Sequence, residues 1–255
     1  MEKLIRFAVI CFAALLCLST IAAESPLLAK PGKVLFEDNF ARTEMAPKWK
    51  VGKGFFSIKE GVINVAENPD DKHGAYAYVT PGFVYKDIVT EFSVKMDGAR
   101  VCSVMINDKS YKESHAGHIL RAAISPGKVA LNDWKNGAMK NGIYEKNKDP
   151  ATSNEEKKKI RESIKSTNAE FKTEMDLTKW HTVRIEIAGD EMLMSIDGKP
   201  AAYLKSPGID HATKNAIGFE VGGKSVEIKD MKVWEASASK DWTGHKTSVI
   251  KSLEK

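Results

Sequence analysis

The residues able to do chemistry cluster between positions 91 and 144. His115 and His118 form an H-x-x-H pair. Imidazole exchanges a proton near neutral pH and is the commonest metal ligand. A zinc site needs a third or fourth ligand. No Cys or carboxylate stands at motif spacing beside the pair, so no metal is assigned. Residues three apart on a strand point to opposite faces, so the two rings meet only if His115 sits in the loop before the strand. His118 is the candidate catalytic acid or base. Alternation that buries Leu120 and Ala122 turns His118 inward and Arg121 outward, either into a groove or to solvent in an ion pair.

Asp133, Trp134 and Lys135 follow a strand end and precede a Gly-Asn-rich loop, KNGAMKNG. An indole face beside a carboxylate suits a sugar ring, whose C–H groups stack while its hydroxyls donate. The alternative is Trp134 packed beneath an inserted helix. Asp133 and Glu91 are the conceivable catalytic carboxyl pair, because glycoside hydrolysis usually places two carboxyls about the bond. Arg121, Trp134, Lys135, His115 and Tyr144 are the candidate substrate-binding residues. Trp49, Trp180 and Trp234 read as packing residues.

Short alternating segments must position these groups. FFSIKEGVINVAE reads as two strands about a Glu60-Gly61 turn. Ile88, Thr90, Phe92, Val94 and Met96 share one strand face. Asp197-Gly198 and Gly189-Asp190 are hairpin turns. Further strands are read in YAYVTPGF, ARVCSVMIND, HILRAAISPGKVALND, NAIGFEVGG and VEIKDMKVWEA. The density of strands predicts an all-β, antiparallel two-sheet sandwich or jelly roll. One segment departs from it. Residues 153–175 are rich in helix formers, with a Ser153/Glu156 capping box and Ile160, Ile164, Thr167 and Phe171 at helical spacing. They predict one inserted α-helix, with EEKKK as its solvated face. From residue 236 onward the strand pattern is lost, leaving a tail that packs Trp242 on the sandwich or frays.

The chain has 255 residues, 39 Lys+Arg against 34 Asp+Glu, and a net charge of +5. Both signs are interspersed, so no basic face for nucleic acid is expected. Residues 1–23 have the layout of a secretory signal peptide: a basic start, an apolar run and a small-residue end. Cleavage is expected after Ala23, with Ala22 the rival. A retained anchor is the alternative, but the run falls short of the roughly 20 residues a span needs. Export would take Cys11 and Cys17 away and leave Cys102, read as a small buried hydrophobe, so no internal disulfide is expected. The mature chain is expected to be secreted or periplasmic and free of the membrane. It is read as one domain, residues 24–235, followed by the tail 236–255. No Gly-x-Ser-x-Gly elbow, phosphate-binding glycine loop or Cys-x-x-Cys occurs.

The order of pieces is itself informative. VLFEDNF opens the domain, with W-x-V before GFFSIKEGVI. HAGHILRAAI, KVALNDW, KWHTVRIEIAGDEMLMSIDGKPAAYL and AIGFEVGGKSVEIKDMKVWEA follow. From 34 to 235 the chain resembles the secreted 3-keto-disaccharide hydrolase-like domains of the concanavalin A-like lectin/glucanase superfamily. The resemblance implies a concanavalin-like jelly roll and a carbohydrate or glycoside ligand. In hydrolase-type relatives an S-G-I-x-x-R-like strand precedes one bearing Glu and a nearby Asp. Gly117, Arg121 and Asp133 fit, while Lys128 and Ala130 stand where acidic or amide groups are expected. The family-16 glucanase signature Glu-x-Asp-x-x-Glu is absent. Such domains often hold a structural calcium, and Asp38, Asn39 and Asp230 lie at suitable ends. No Asp-x-Asp-type loop supports it, so no cofactor is assigned.

Three functions follow as expectations. The first is an enzyme on 3-keto-glycosides or 3-keto-disaccharides, in which the ketone acidifies the neighbouring C–H so that one base starts elimination. The second is a non-catalytic, lectin-like glycan-binding module. The third is a cell-surface interaction protein, which would show an apolar patch.

Overall fold

The computed structural model describes residues 28–254. The signal-peptide expectation falls on residues 1–23, outside the described residues. In chain order the first strands are β1 (Ala29–Asp38), β2 (Trp49–Lys53), β3 (Phe55–Lys59), β4 (Val62–Ala66), β5 (Ala75–Val79), β6 (Ile88–Lys95) and β7 (Ala99–Asn107). Then come β8 (His118–Ser125), β9 (Lys128–Asp133), α1 (Asn141–Lys148), α2 (Asn154–Ser163) and β10 (Asn168–Lys172). The chain ends with β11 (His181–Ala188), β12 (Glu191–Ile196), β13 (Lys199–Lys205), β14 (Ala216–Gly223), β15 (Val226–Ala238) and α3 (Trp242–Leu253).

The strands build two antiparallel sheets, as the alternation predicts. The back sheet runs β13-β12-β11-β6-β15-β4-β3, with β1 also paired to β15. The front sheet runs β10-β9-β8-β7-β14-β5-β2. Their inner faces meet in one hydrophobic core. Ile88, Thr90, Phe92, Val94 and Met96 are all buried along one face of β6 and its end, so period 2 places them correctly. Trp49 stacks on Phe219 at 5.6 Å, and Phe92 meets Phe219 edge-on at 5.0 Å. The Trp49 indole N–H donates to buried Asp38 at 2.8 Å, and Arg42 grips the same carboxylate with two bonds of 2.5 and 2.7 Å. Burial opposes charge on Asp38, but these donors outweigh it and hold the carboxyl below its ordinary range. An Asp38 satisfied in this way leaves little for the calcium considered above. No group of three or more His, Cys, Asp or Glu is placed to hold a metal ion among the described residues.

The helical insertion differs from the expectation. Half of the capping box forms: Glu156 N–H donates to Ser153 Oγ at 3.1 Å, while the Glu156 carboxylate turns to Lys146. The helix stops at Ser163, a 3-10 turn follows, and the chain returns as edge strand β10 against β9. The reason is the period-2 pattern of NAEFK: Ala169 and Phe171 pack on the core while Asn168, Glu170 and Lys172 are exposed. A second helix, α1, which the sequence reading did not assign, forms just ahead of it. The tail does not fray. β15 extends to Ala238, and α3 packs Trp242 and Val249 against Leu28, Val89 and Leu193 on the outside of the back sheet. Trp242 Nε1 donates to Glu191 at 2.7 Å, and Lys246 pairs with the same carboxylate. Trp234, read as a packing residue, packs on this smaller cluster, and Trp180 lies beneath the Lys95 and Lys229 ammonium groups.

Candidate active site

A bulge in β8 creates the site. Ile106 pairs with Leu120, but the next residue, Asn107, pairs with His118. Ile119 is the extra residue. Ile119 and Leu120 therefore both face the core, each 0% exposed. His118 and Arg121, three apart, then share the outer face of the front sheet. This corrects the expectation that strict alternation turns His118 inward. Gly117 immediately precedes the strand at φ +70, where a Cβ would lie 2.1 Å from the Asp108 carbonyl, so the position demands glycine.

The outer face carries an open cavity of about 590 Å³. Its floor is a polar relay. His118 Nδ1 lies 3.0 Å from Asn107 Oδ1, and Asn107 Nδ2 donates to Tyr78 Oη at 2.8 Å. Because the Asn107 amide gives its N–H to tyrosine, its oxygen faces the imidazole, and His118 must donate from Nδ1. That tautomer leaves Nε2 with a free lone pair. Burial, reinforced by neighbouring His115, His73 and Arg121, lowers the His118 pKa to about 4, so the ring is neutral at physiological pH. Burial likewise raises the Tyr78 hydroxyl to about 12, keeping it a neutral donor.

Arg121 stands beside this relay. Its Nε donates to Ser103 at 2.9 Å and its Nη2 lies 3.4 Å from Glu220 Oε2. Its guanidinium sits 5.3 Å from the centre of the Trp134 ring. Burial lowers the Arg121 pKa, and Glu220 works against that fall. Neighbouring strands supply the partners: Tyr78, Gly218, Met105 and Arg121 occupy successive registers across β5, β14, β7 and β8. A side chain at Gly218 would collide with Tyr78 Cδ1 at 2.8 Å, so its absence makes room for the tyrosine. From the other side, α1 brings Tyr144 flat onto His115, with ring centres 3.7 Å apart and planes 11° apart. His115 does sit in the loop before the strand, and its ring lies 6.1 Å from that of His118.

The structure thus gathers five predicted residues, His115, His118, Arg121, Trp134 and Tyr144, around one cavity. Trp134 is 7% exposed, so it is a wall packed on His118 rather than an open stacking platform. Three predicted residues are placed elsewhere. Asp133 is 0% exposed and accepts bonds from Asn136 N and Nδ2, Ser206 Oγ and Gly208 N. It ties the end of β9 to the loop after β13. Glu91 lies on the back sheet, outside the sandwich, paired with Arg184 at 3.3 Å. Lys135 holds its ammonium over the Tyr111 ring and does not line the cavity.

The residues missed from sequence include His73, Tyr76, Tyr78, Asn107, Lys109, Lys148 and Glu220. A signal existed for some. In AYAYV the alanines are buried and the tyrosines point out, so alternation marks an aromatic outer face. Glu220 is a charge inside an otherwise apolar strand. Buried Cys102 is not a rival nucleophile, since burial pushes its thiol up to about 12.

The site can accept a proton at a neutral imidazole, donate from a phenol and offer a cation to developing negative charge. Comparisons with known proteins agree with the two-sheet fold. No curated protein matches the chain. Among solved structures, the laminarinase from Rhodothermus marinus superposes with a TM-score of 0.57 at 11% identity, over 82% of this chain and 99% of that one. The GlcNAcα1-4Gal-releasing endo-β-galactosidase from Clostridium perfringens gives 0.53 at 14%, over 82% and 64%. The carbohydrate-binding module CBM66 from Bacillus subtilis gives 0.47 at 12%, over 75% and 96%. At these identities the likeness is one of fold, the two-sheet concanavalin-like sandwich. The sequence comparison reaches further: the model of the 3-keto-alpha-glucoside-1,2-lyase-like domain matches residues 33–234, most of the chain, and the protein belongs to that family.

Proposed function

We propose that the front cavity takes a 3-keto-glycoside and that His118 starts cleavage of its glycosidic bond by elimination. The observation that carries this reading is the neutral His118, held by Asn107 with Nε2 free inside the cavity. The C3 ketone makes the C2 proton acidic. Nε2 removes that proton, the electron pair forms the C1=C2 bond, and the C1–O bond breaks. The departing oxygen takes its proton from the imidazolium or from water. The products are an unsaturated keto sugar and the free second group, and later addition of water would complete a hydrolysis. Arg121 faces the negative charge that the ketone oxygen gains, which is where a preorganised cation helps most. One base suffices, so two flanking carboxyls are not required.

A second reading is a non-catalytic glycan-binding module. It is favoured by one fact: Glu220 is the only carboxylate lining the cavity among the described residues, and Arg121 holds it. An interaction protein finds less support, because the exposed large apolar residues Val34, Val51, Phe55 and Val84 come from four separate segments. Export to the periplasm or beyond remains part of the proposal, supported by the layout of residues 1–23. No helix among the described residues is long and apolar enough to cross a membrane.

The test is the purified chain 24–255 with an aryl 3-keto-α-glucoside, following aryl release and the new vinyl proton by NMR. Release that is lost in His118→Gln, while the ligand still binds, supports elimination. Binding without release in the wild type gives the module reading instead.

A further inference from the structure

The cavity has an unbalanced charge. Arg121 and Glu220 pair with one another at its floor. Two more cations, Lys109 after β7 and Lys148 at the end of α1, line the same space, and both residues are exposed. Neither forms an ion pair with a carboxylate among the described residues. Each ammonium instead rests over an aromatic ring of the cavity, Lys109 5.5 Å from the Tyr78 centre and Lys148 5.8 Å from the Tyr144 centre. Some exposed lysines elsewhere on this protein do find a carboxylate, as Lys86 does with Asp210, Lys128 with Glu170, Lys146 with Glu156 and Lys159 with Glu155, so what sets Lys109 and Lys148 apart is their shared place on the cavity wall. The Lys146–Glu156 bridge, at 2.9 Å, links α1, which presents Lys148, to α2.

A concave site lined by one sign of charge concentrates ligands of the other. His118 and Arg121 are largely buried while the two lysines are exposed, so the reacting ring belongs deep and the lysines meet what projects toward the mouth. We propose that the cavity selects 3-keto-glycosides whose second, departing group carries an anionic oxygen function, a carboxylate, sulfate or phosphate, received between Lys109 and Lys148. This rests on the elimination reading above and adds to it the class of the leaving group. The negative charge also steers the substrate with its keto ring inward.

The test compares two probes, phenyl and 4-carboxyphenyl 3-keto-α-glucoside, on the chain 24–255. The expected result is a preference of roughly tenfold in kcat/KM for the carboxylate at low salt, the size that two partly exposed charges supply. It should shrink toward unity at about 0.5 M salt, where screening is nearly complete. Lys109→Gln/Lys148→Gln should collapse the preference. The charge-matched control Lys158→Gln/Arg161→Gln, outside the cavity, should keep it. Equal handling of both probes by the wild type, or a preference that survives the Lys109/Lys148 double variant, overturns the anion assignment and leaves elimination standing. Failure to cleave or bind either probe overturns elimination and this inference together.

Discussion

Asn107→Asp puts the assigned tautomer of His118 to a quantitative test. The substitution is nearly isosteric and converts the amide oxygen 3.0 Å from His118 Nδ1 into a carboxylate. In the native site burial lowers the imidazole from 6.5 to about 4, a difference of roughly 3 kcal/mol. A full charge about 3–4 Å away attracts the imidazolium by up to about 4 kcal/mol at an effective dielectric near 20. Asn107 is buried, so desolvation of the new carboxylate consumes part of that. A rise of about 1–3 units should remain, placing the imidazole between about 5 and 7. Tyr78, which accepts from the native amide, must then rotate its hydroxyl to donate. The assay is an NMR titration of ring-labelled histidine, with nitrogen shifts reporting which ring nitrogen carries the proton. The acid limb of the turnover profile should move upward by the same amount. The reasoning fails if the native ring titrates near 6.5, if its proton sits on Nε2, or if the variant leaves the titration where it was.

Two further outcomes follow from the same structure. Asp133→Ala removes an acceptor serving Asn136, Ser206 and Gly208 in a fully buried position, and should cost about 3–5 kcal/mol in urea unfolding. Asp133→Asn should also lose stability, and loss of turnover at unchanged stability would instead give Asp133 a chemical role. Because the folded His118 pKa is depressed, its contribution to stability is present above pH 6.5 and is lost as pH falls toward about 4. Unfolding at pH 4.5 and pH 7 should therefore differ by about 2–3 kcal/mol more in the wild type than in His118→Gln, and parallel behaviour of the two proteins would contradict the burial of the ring.

The sequence by itself determined most of the strands, their hairpins and, away from β8 and β10, their core faces. Period-2 burial is a local property, and Asp197-Gly198, Gly189-Asp190 and Glu60-Gly61 close hairpins within a few residues. It also marked His118, Arg121 and Tyr144, since charge and aromaticity on an exposed strand face or loop are readable without a partner. The tertiary structure decided what those residues do. The β8 bulge reverses the facing of His118, and it is visible only in the pairing with β7. Asn107, Tyr78 and Glu220 reach the cavity from three strands, and no spacing along the chain encodes their meeting. Asp133 and Glu91 looked alike as carboxylates near strand residues. Burial against Ser206 and Gly208 makes one a tie, and the back sheet carries the other to the opposite side of the sandwich. NAEFK could continue a helix by composition, but the open edge of β9 offers hydrogen bonds that the helix does not, and the segment becomes a strand. Local chemistry sets which side chains are available, while long-range pairing sets which of them face one another.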